Sequence, residues 1–169
     1  RVARGIIIGQ DPGVGCRIHA ALLLWLLGYP EQALARLHEA LALAHELPHP
    51  YSLARARCWA AYVYQFRWDV PAVPEQAEAA VALPIEQGFP LWGAAGTILR
   101  GWALAMQGQG EEGLSQVRQG IVAYRATEAP LLVAYYCTLL ADVSAHLGHP
   151  EDGLQALVEA NTLMEQHEE

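Results

Sequence analysis

Apolar residues in this chain recur three and four positions apart over long stretches, and short breaks rich in Gly and Pro separate the stretches. That spacing is the signature of amphipathic helices, each with one apolar face. The breaks divide the chain into eight predicted helices at about 12–27, 30–46, 50–67, 73–87, 90–107, 110–126, 130–147 and 150–166. Two places fit less well. Pro84 falls inside the fourth helix and is expected to kink it or end it early, and Pro71 and Pro74 blur its start. Residues 1–8, with the strand-like Ile6, Ile7 and Ile8, stand outside the helical pattern.

The breaks are themselves periodic. GYPEQAL from 28, GQGEEGL from 108 and GHPEDGL from 148 share one pattern and lie 80 and 40 residues apart. A fourth copy is expected from 68, where WDVPAVPEQAEAAV has lost the Gly but keeps the helix-forming tail. Pro50, Pro90 and Pro130 mark the same 40-residue frame. Within it small residues form columns, Ala21, Ala61, Gly101 and Ala141 in the first helices and Ala40, Ala80, Gly120 and Ala160 in the second. Leu37, Ala77, Val117 and Leu157 form a third column, and Leu41, Val81, Ile121 and Asn161 a fourth. Small side chains at fixed positions let two helices approach closely, so the frame predicts tandem helical hairpins at about 12–47, 50–88, 90–127 and 130–166. The expected architecture is all-α: an α-α superhelix spanning 9–169 as one repeat domain, with 1–8 unassigned. The last helix, with Leu154, Leu157, Val158 and Met164 on one side and acids on the other, is expected to act as a partial cap.

Composition narrows the chemistry. The 169 residues are 53% hydrophobic and 17% charged, which suits extensive burial, and the formal net charge of −8 opposes nucleic acid or anionic lipid as the main partner. All ten basic residues are Arg, so a P-loop lysine, a Schiff-base lysine and a Ser-Lys pair are all excluded. Cys16, Cys58 and Cys137 are odd in number and far apart, and read as buried thiols of a reducing compartment. The longest apolar runs, Ala20 to Leu27 and Leu131 to Ala141, are too short for the roughly 20 residues a membrane helix needs. With no signal-peptide pattern and no initiating Met, the chain reads as a cytoplasmic piece of something larger.

The order of small residue, Gly turn, G-x-x-E-x-[AG]-L and second small residue resembles the tetratricopeptide repeat, carried here by Ala21, Gly28, Ala33, Leu37 and Ala40. The usual period of that repeat is shorter, so the helices or loops here are longer. GQDPGVGC, LWLLGYPEQALARLHEALALA, IEQGFPLW and TILRGWALAMQGQGEEGLSQVRQGI are further similar to the C-terminal repeat region of large bacterial proteins. Those proteins join a nucleotide cyclase domain, an AAA-type ATPase domain and a repeat tail. The resemblance implies a regulatory or scaffolding tail that lacks the catalytic domains.

Several motifs invite a chemical reading. HELPH, residues 45–49, matches the H-E-x-x-H pattern in which two His one turn apart bind zinc and a Glu activates water. A zinc hydrolase built on His45, Glu46 and His49 is therefore a remote alternative. Pro48 breaks the helix that such a site needs, so the stretch reads as a helix end with two solvated imidazoles, and replacing either His is expected to matter little. GQDPGVGC lacks both the Gly spacing and the Lys of a phosphate loop. His146 and His149 straddle a turn and share no rigid face. Ser52, Ser115 and Ser144 lie in no nucleophile elbow, and the acids from Glu165 to Glu169 read as a solvated helix end. No catalytic residue, cofactor or metal is expected.

What remains is a surface. In the tetratricopeptide arrangement the first helix of each hairpin lines the concave side. The matching positions are Leu22, Trp25, Arg55, Tyr62, Phe66, Trp102, Met106, Tyr135, Asp142 and His146. Aromatic residues, Met and Arg are enriched where proteins bind proteins, although the same side chains also fill helix interfaces. The expected function is a non-catalytic scaffold for a protein or peptide, which includes a second copy or the parent's own ATPase or cyclase domain. The runner-up is a small-molecule sensor acting on those domains. The carboxylate clamp of chaperone-binding repeats uses Lys and Asn, and with no Lys and a single Asn, Asn161, that partner class is not expected.

Overall fold

The structure, a computed structural model, describes residues 9–87, 89–129 and 131–166, with the side chains of 83–87 outside that description. The Ile6–Ile8 run, the Pro130 marker and the last acids of the tail lie outside the described residues. Among those residues eight helices follow in order: α1 (Pro12–Leu26), α2 (Pro30–Glu46), α3 (Pro50–Phe66), α4 (Val73–Gln87), α5 (Pro90–Met106), α6 (Gly110–Arg125), α7 (Val133–His146) and α8 (Pro150–Glu165). The chain is an all-α superhelix of four hairpins. No described helix is long and apolar enough to cross a membrane.

Each hairpin is closed by the same device. The first helix ends in a residue with left-handed backbone, Gly28 (φ 83°), Trp68 (φ 55°), Gly108 (φ 92°) and Gly148 (φ 79°). The amide of the next residue then donates back to a carbonyl five residues earlier: Tyr29 to Leu24, Asp69 to Tyr64, Gln109 to Leu104 and His149 to Ser144, each at 2.9 Å. This closure satisfies carbonyls that the helix end would otherwise leave unpaired. Pro12, Pro30, Pro50, Pro90 and Pro150 open helices, where a missing N–H removes no intrahelical bond.

The small columns set how close the helices come. A Cβ on Gly113 would lie 2.5 Å from the Gly101 carbonyl oxygen and 2.6 Å from the Ala105 nitrogen, and one on Gly101 would lie 2.8 Å from the Gly113 oxygen. No side chain fits there, so α5 and α6 meet backbone to backbone. Leu37, Ala77 and Val117, one column of the frame, are fully buried. The first helices α1, α3, α5 and α7 also touch one another in sequence, whereas the second helices make no comparable approach among themselves. The first helices therefore form the inside of the curve.

Three expectations need correction. α7 begins at Val133 and not at 130, because Leu132 is held in the left-handed region (φ 73°), which a helix cannot contain. α4 does not end early at Pro84 but continues to Gln87, forgoing the one helical hydrogen bond that a Pro84 N–H would have made. α8 does not act as an apolar-covered cap: Leu154, Leu157, Val158 and Met164 are all exposed.

Candidate functional site

The inner face is an aromatic band that runs from α1 to α7. Trp25 stacks on Phe66 (centroids 5.9 Å apart, planes 24° apart), and Phe66 meets the edge of Tyr135 at 5.7 Å. Tyr62 lies between Phe66 and Tyr136, and Tyr136 meets Tyr124 edge-on at 4.7 Å. The Tyr62 and Tyr136 hydroxyls are hydrogen-bonded to each other, and Tyr135 Oη donates to Gln65 Oε1 at 2.6 Å. Burial pushes the Tyr62, Tyr135 and Tyr136 phenols upward in pKa, so all three serve as neutral hydrogen-bonding groups.

The ten positions expected to line the concave side all lie on first helices, α1, α3, α5 and α7, and they differ in depth. Tyr62 and Trp102 keep 1% and 0% of their surface and belong to the core, so neither meets a partner directly. The curve is tight enough for the first helices to pack on each other, and it closes over these two side chains. Arg55 is also buried, its guanidinium carbon 5.9 Å from the centre of the Trp92 ring, and desolvation lowers its pKa. Leu22, Trp25, Phe66, Met106 and Tyr135 are half-buried, while Asp142 and His146 are exposed.

Asp142 lies against Trp102 and near Tyr135. Burial raises its carboxyl above the usual range, and the Trp102 N–H partly opposes that shift. The indole nitrogen is nevertheless buried without a partner in hydrogen-bond geometry. The Trp68 and Trp102 rings meet in a T-shaped contact with centroids 5.3 Å apart, and Trp68 is 59% exposed. Trp68 was not among the expected positions. The signal for it was present, because it occupies the turn column that holds Gly in the other three hairpins.

The remaining motifs resolve into structural roles. His49 is the N-cap of α3: its Nδ1 accepts the Ser52 amide at 3.2 Å and lies 2.8 Å from Ser52 Oγ. Ser52 Oγ in turn accepts the Asp11 amide at 2.8 Å, which ties α1 to α3. His49 is thus a fold determinant and more than a solvated imidazole. His45 faces Arg57 at 3.2 Å and does not converge with His49 on a shared site. In GQDPGVGC, Asp11 caps α1 by accepting the Val14 amide at 3.0 Å, so a carboxylate already occupies the place a phosphate would take. No group of three or more His, Cys, Asp or Glu converges as a metal site among the described residues. Cys58 and Cys137 are buried as expected, with burial pushing the Cys58 thiol up to about 12, but Cys16 is exposed.

No protein-family model matches the chain, and no curated protein matches it. Among solved structures it is similar to a Podospora anserina chain described as a kinesin light chain of nearly identical TPR-like repeats. The TM-score is 0.66 at 16% identity, over 90% of this chain and 75% of that one. The likeness establishes the fold: a tetratricopeptide-like helical repeat.

Proposed function

We propose that this chain is a non-catalytic interaction scaffold that binds a protein or peptide along the exposed edge of its inner face. The observation that carries the reading is the continuous aromatic band from Trp25 to Tyr135, edged by side chains that still reach solvent at Met106, Asp142 and His146. Aromatic side chains offer large contact area at low entropic cost and Met adapts its shape to a partner, which suits a binding edge. The resemblance to bacterial cyclase–ATPase repeat tails supports a place in a larger cytoplasmic signalling protein, where the parent's own domains are natural partners. Site-specific photo-crosslinking tests the reading. A crosslinker at Met106 or His146 is expected to capture a defined protein or parent-domain segment, and one at the outer-face Val122 is not. Capture confined to the outer face would overturn it.

A further inference from the structure

We propose that the outward face of α8 is a docking surface for α1 of a second copy of this chain, so that copies join head to tail and continue the superhelix. The inference is independent of the inner-face reading, because it concerns the two ends of the array.

The chain makes this kind of interface three times within itself. α3, α5 and α7 each pack on the second helix of the hairpin before, α2, α4 and α6. Leu37, Ala77 and Val117 are buried on the second helices, and Val63, Ala103 and Val143 on the first helices. The register repeats as well. The residue just after each first helix reaches back to the start of the preceding second helix: Arg67 pairs with Glu31 at 3.0 Å, Gln107 donates to the Val70 carbonyl at 3.3 Å, and Leu147 packs against Gly110.

Both halves of the interface are left open on one chain. α8 exposes Leu154, Leu157 and Met164, in columns whose other described members are buried or half-buried. α1 exposes Cys16 and Leu23, where Ala56 and Val63, Gly96 and Ala103, and Tyr136 and Val143 are buried. Leu27, in the column of Arg67, Gln107 and Leu147, is 69% exposed. Continuing the frame by one step sets Leu23 of one copy on Leu157 of the other and Leu27 beside Pro150, apolar on apolar. Removing these aliphatic side chains from water drives the association, as it does between hairpins within the chain.

The polar positions favour a second copy over an unrelated helix. A Cβ on Gly96 would lie 3.0 Å from Val81 Cγ2, so the Gly96 and Val81 columns oppose each other. In α8 the Val81 column turns polar, at Asn161. In α1 the Gly96 column holds Cys16, and one turn on, the Trp59, Leu99 and Leu139 column turns polar at His19. Docking α1 on α8 brings these polar breaks to the same part of the interface, where imidazole and amide each offer a donor and an acceptor. The two surfaces differ, so the contact is heterologous and each end stays free to add a further copy.

Sedimentation velocity of the 169-residue chain over a range of concentrations tests the proposal. The sedimentation coefficient is expected to rise with concentration, while Leu23→Asp and Leu157→Asp each hold the chain as a monomer, because docking would bury an unpaired carboxylate. Both leucines face water in the single chain, so the variants should keep the wild-type circular dichroism; Leu27→Asp and Leu154→Asp replace either one that does not. Mixing the Leu23→Asp and Leu157→Asp chains restores one intact junction and is expected to give a dimer and nothing larger. Val158→Asp, in a column exposed in every hairpin, should leave association unchanged. A wild-type chain that stays monomeric throughout would overturn the proposal. So would a Leu23→Asp or Leu157→Asp chain that still associates alone, the mark of a symmetric pairing or of another surface, and so would a mixture that remains monomeric.

Discussion

In the first hairpin Leu37 is fully enclosed between α1, α2 and α3, while its counterpart in the last hairpin, Leu157, keeps 44% of its surface in water. The same contrast holds along both helices. Ala44 and Tyr124 are buried where Met164 is exposed, and Leu114 is buried where Leu154 is exposed. The first helices mirror this at the other end, with Val63, Ala103 and Val143 buried and Leu23 exposed. A column in the repeat dictates where a side chain points. Whether it is covered depends on the hairpin that packs next to it, and that is a property of the array and not of the repeat.

The comparison can be pressed hardest at the glycines. Gly113→Ala puts a Cβ into the Gly101 and Ala105 backbones, so α5 and α6 must part, and the expected loss is about 3 kcal/mol in denaturant unfolding. Gly153→Ala in the last hairpin meets the Ala141 oxygen at 3.2 Å and the Ala141 Cα and Ser144 Cβ at an ordinary 3.7 Å, and should cost under about 1 kcal/mol. Similar losses at the two sites would show that the hairpin interfaces are alike and the contrast is wrong. A second pair uses one chemistry in two places. Leu37→Ala is expected to cost about 2–5 kcal/mol, and Leu157→Ala no more than about 1, read as a shift in urea midpoint at constant slope.

The smallest effect concerns the two histidines of HELPH. His49→Ala removes the α3 cap and its contact with Ser52, for an expected loss of about 1 kcal/mol. His45→Ala removes an exposed contact with Arg57 and should be close to neutral. A thermal melt in which the two variants behave alike would remove the capping role from His49.

Hairpins, turns and their spacing were legible because they are written in Gly, Pro and Ala, whose steric demands are local. The register of α7 was not, since the left-handed Leu132 has no marker in its residue type. Depth on the inner face was also hidden. Leu22, Tyr62, Trp102 and Asp142 share one column, yet they range from wholly buried to exposed. That depth follows from how tightly the whole array curls, a sum over many interfaces that no single position carries. Trp68 is the opposite case: its place in a glycine column singled it out, but only the contact with Trp102 shows what the indole is set against.

The hydroxyl pair between Tyr62 and Tyr136, with the bond from Tyr135 to Gln65, joins the second hairpin to the fourth and passes over the third. Repeat arrays ordinarily fray from their ends one unit at a time, because each unit holds only its neighbours. Here the last hairpin cannot leave without uncovering phenols that the second one buries. Opening at the C-terminal end is therefore coupled to α3 in the middle of the array, and backbone amides of α3 and α7 should exchange with solvent as a single cooperative unit.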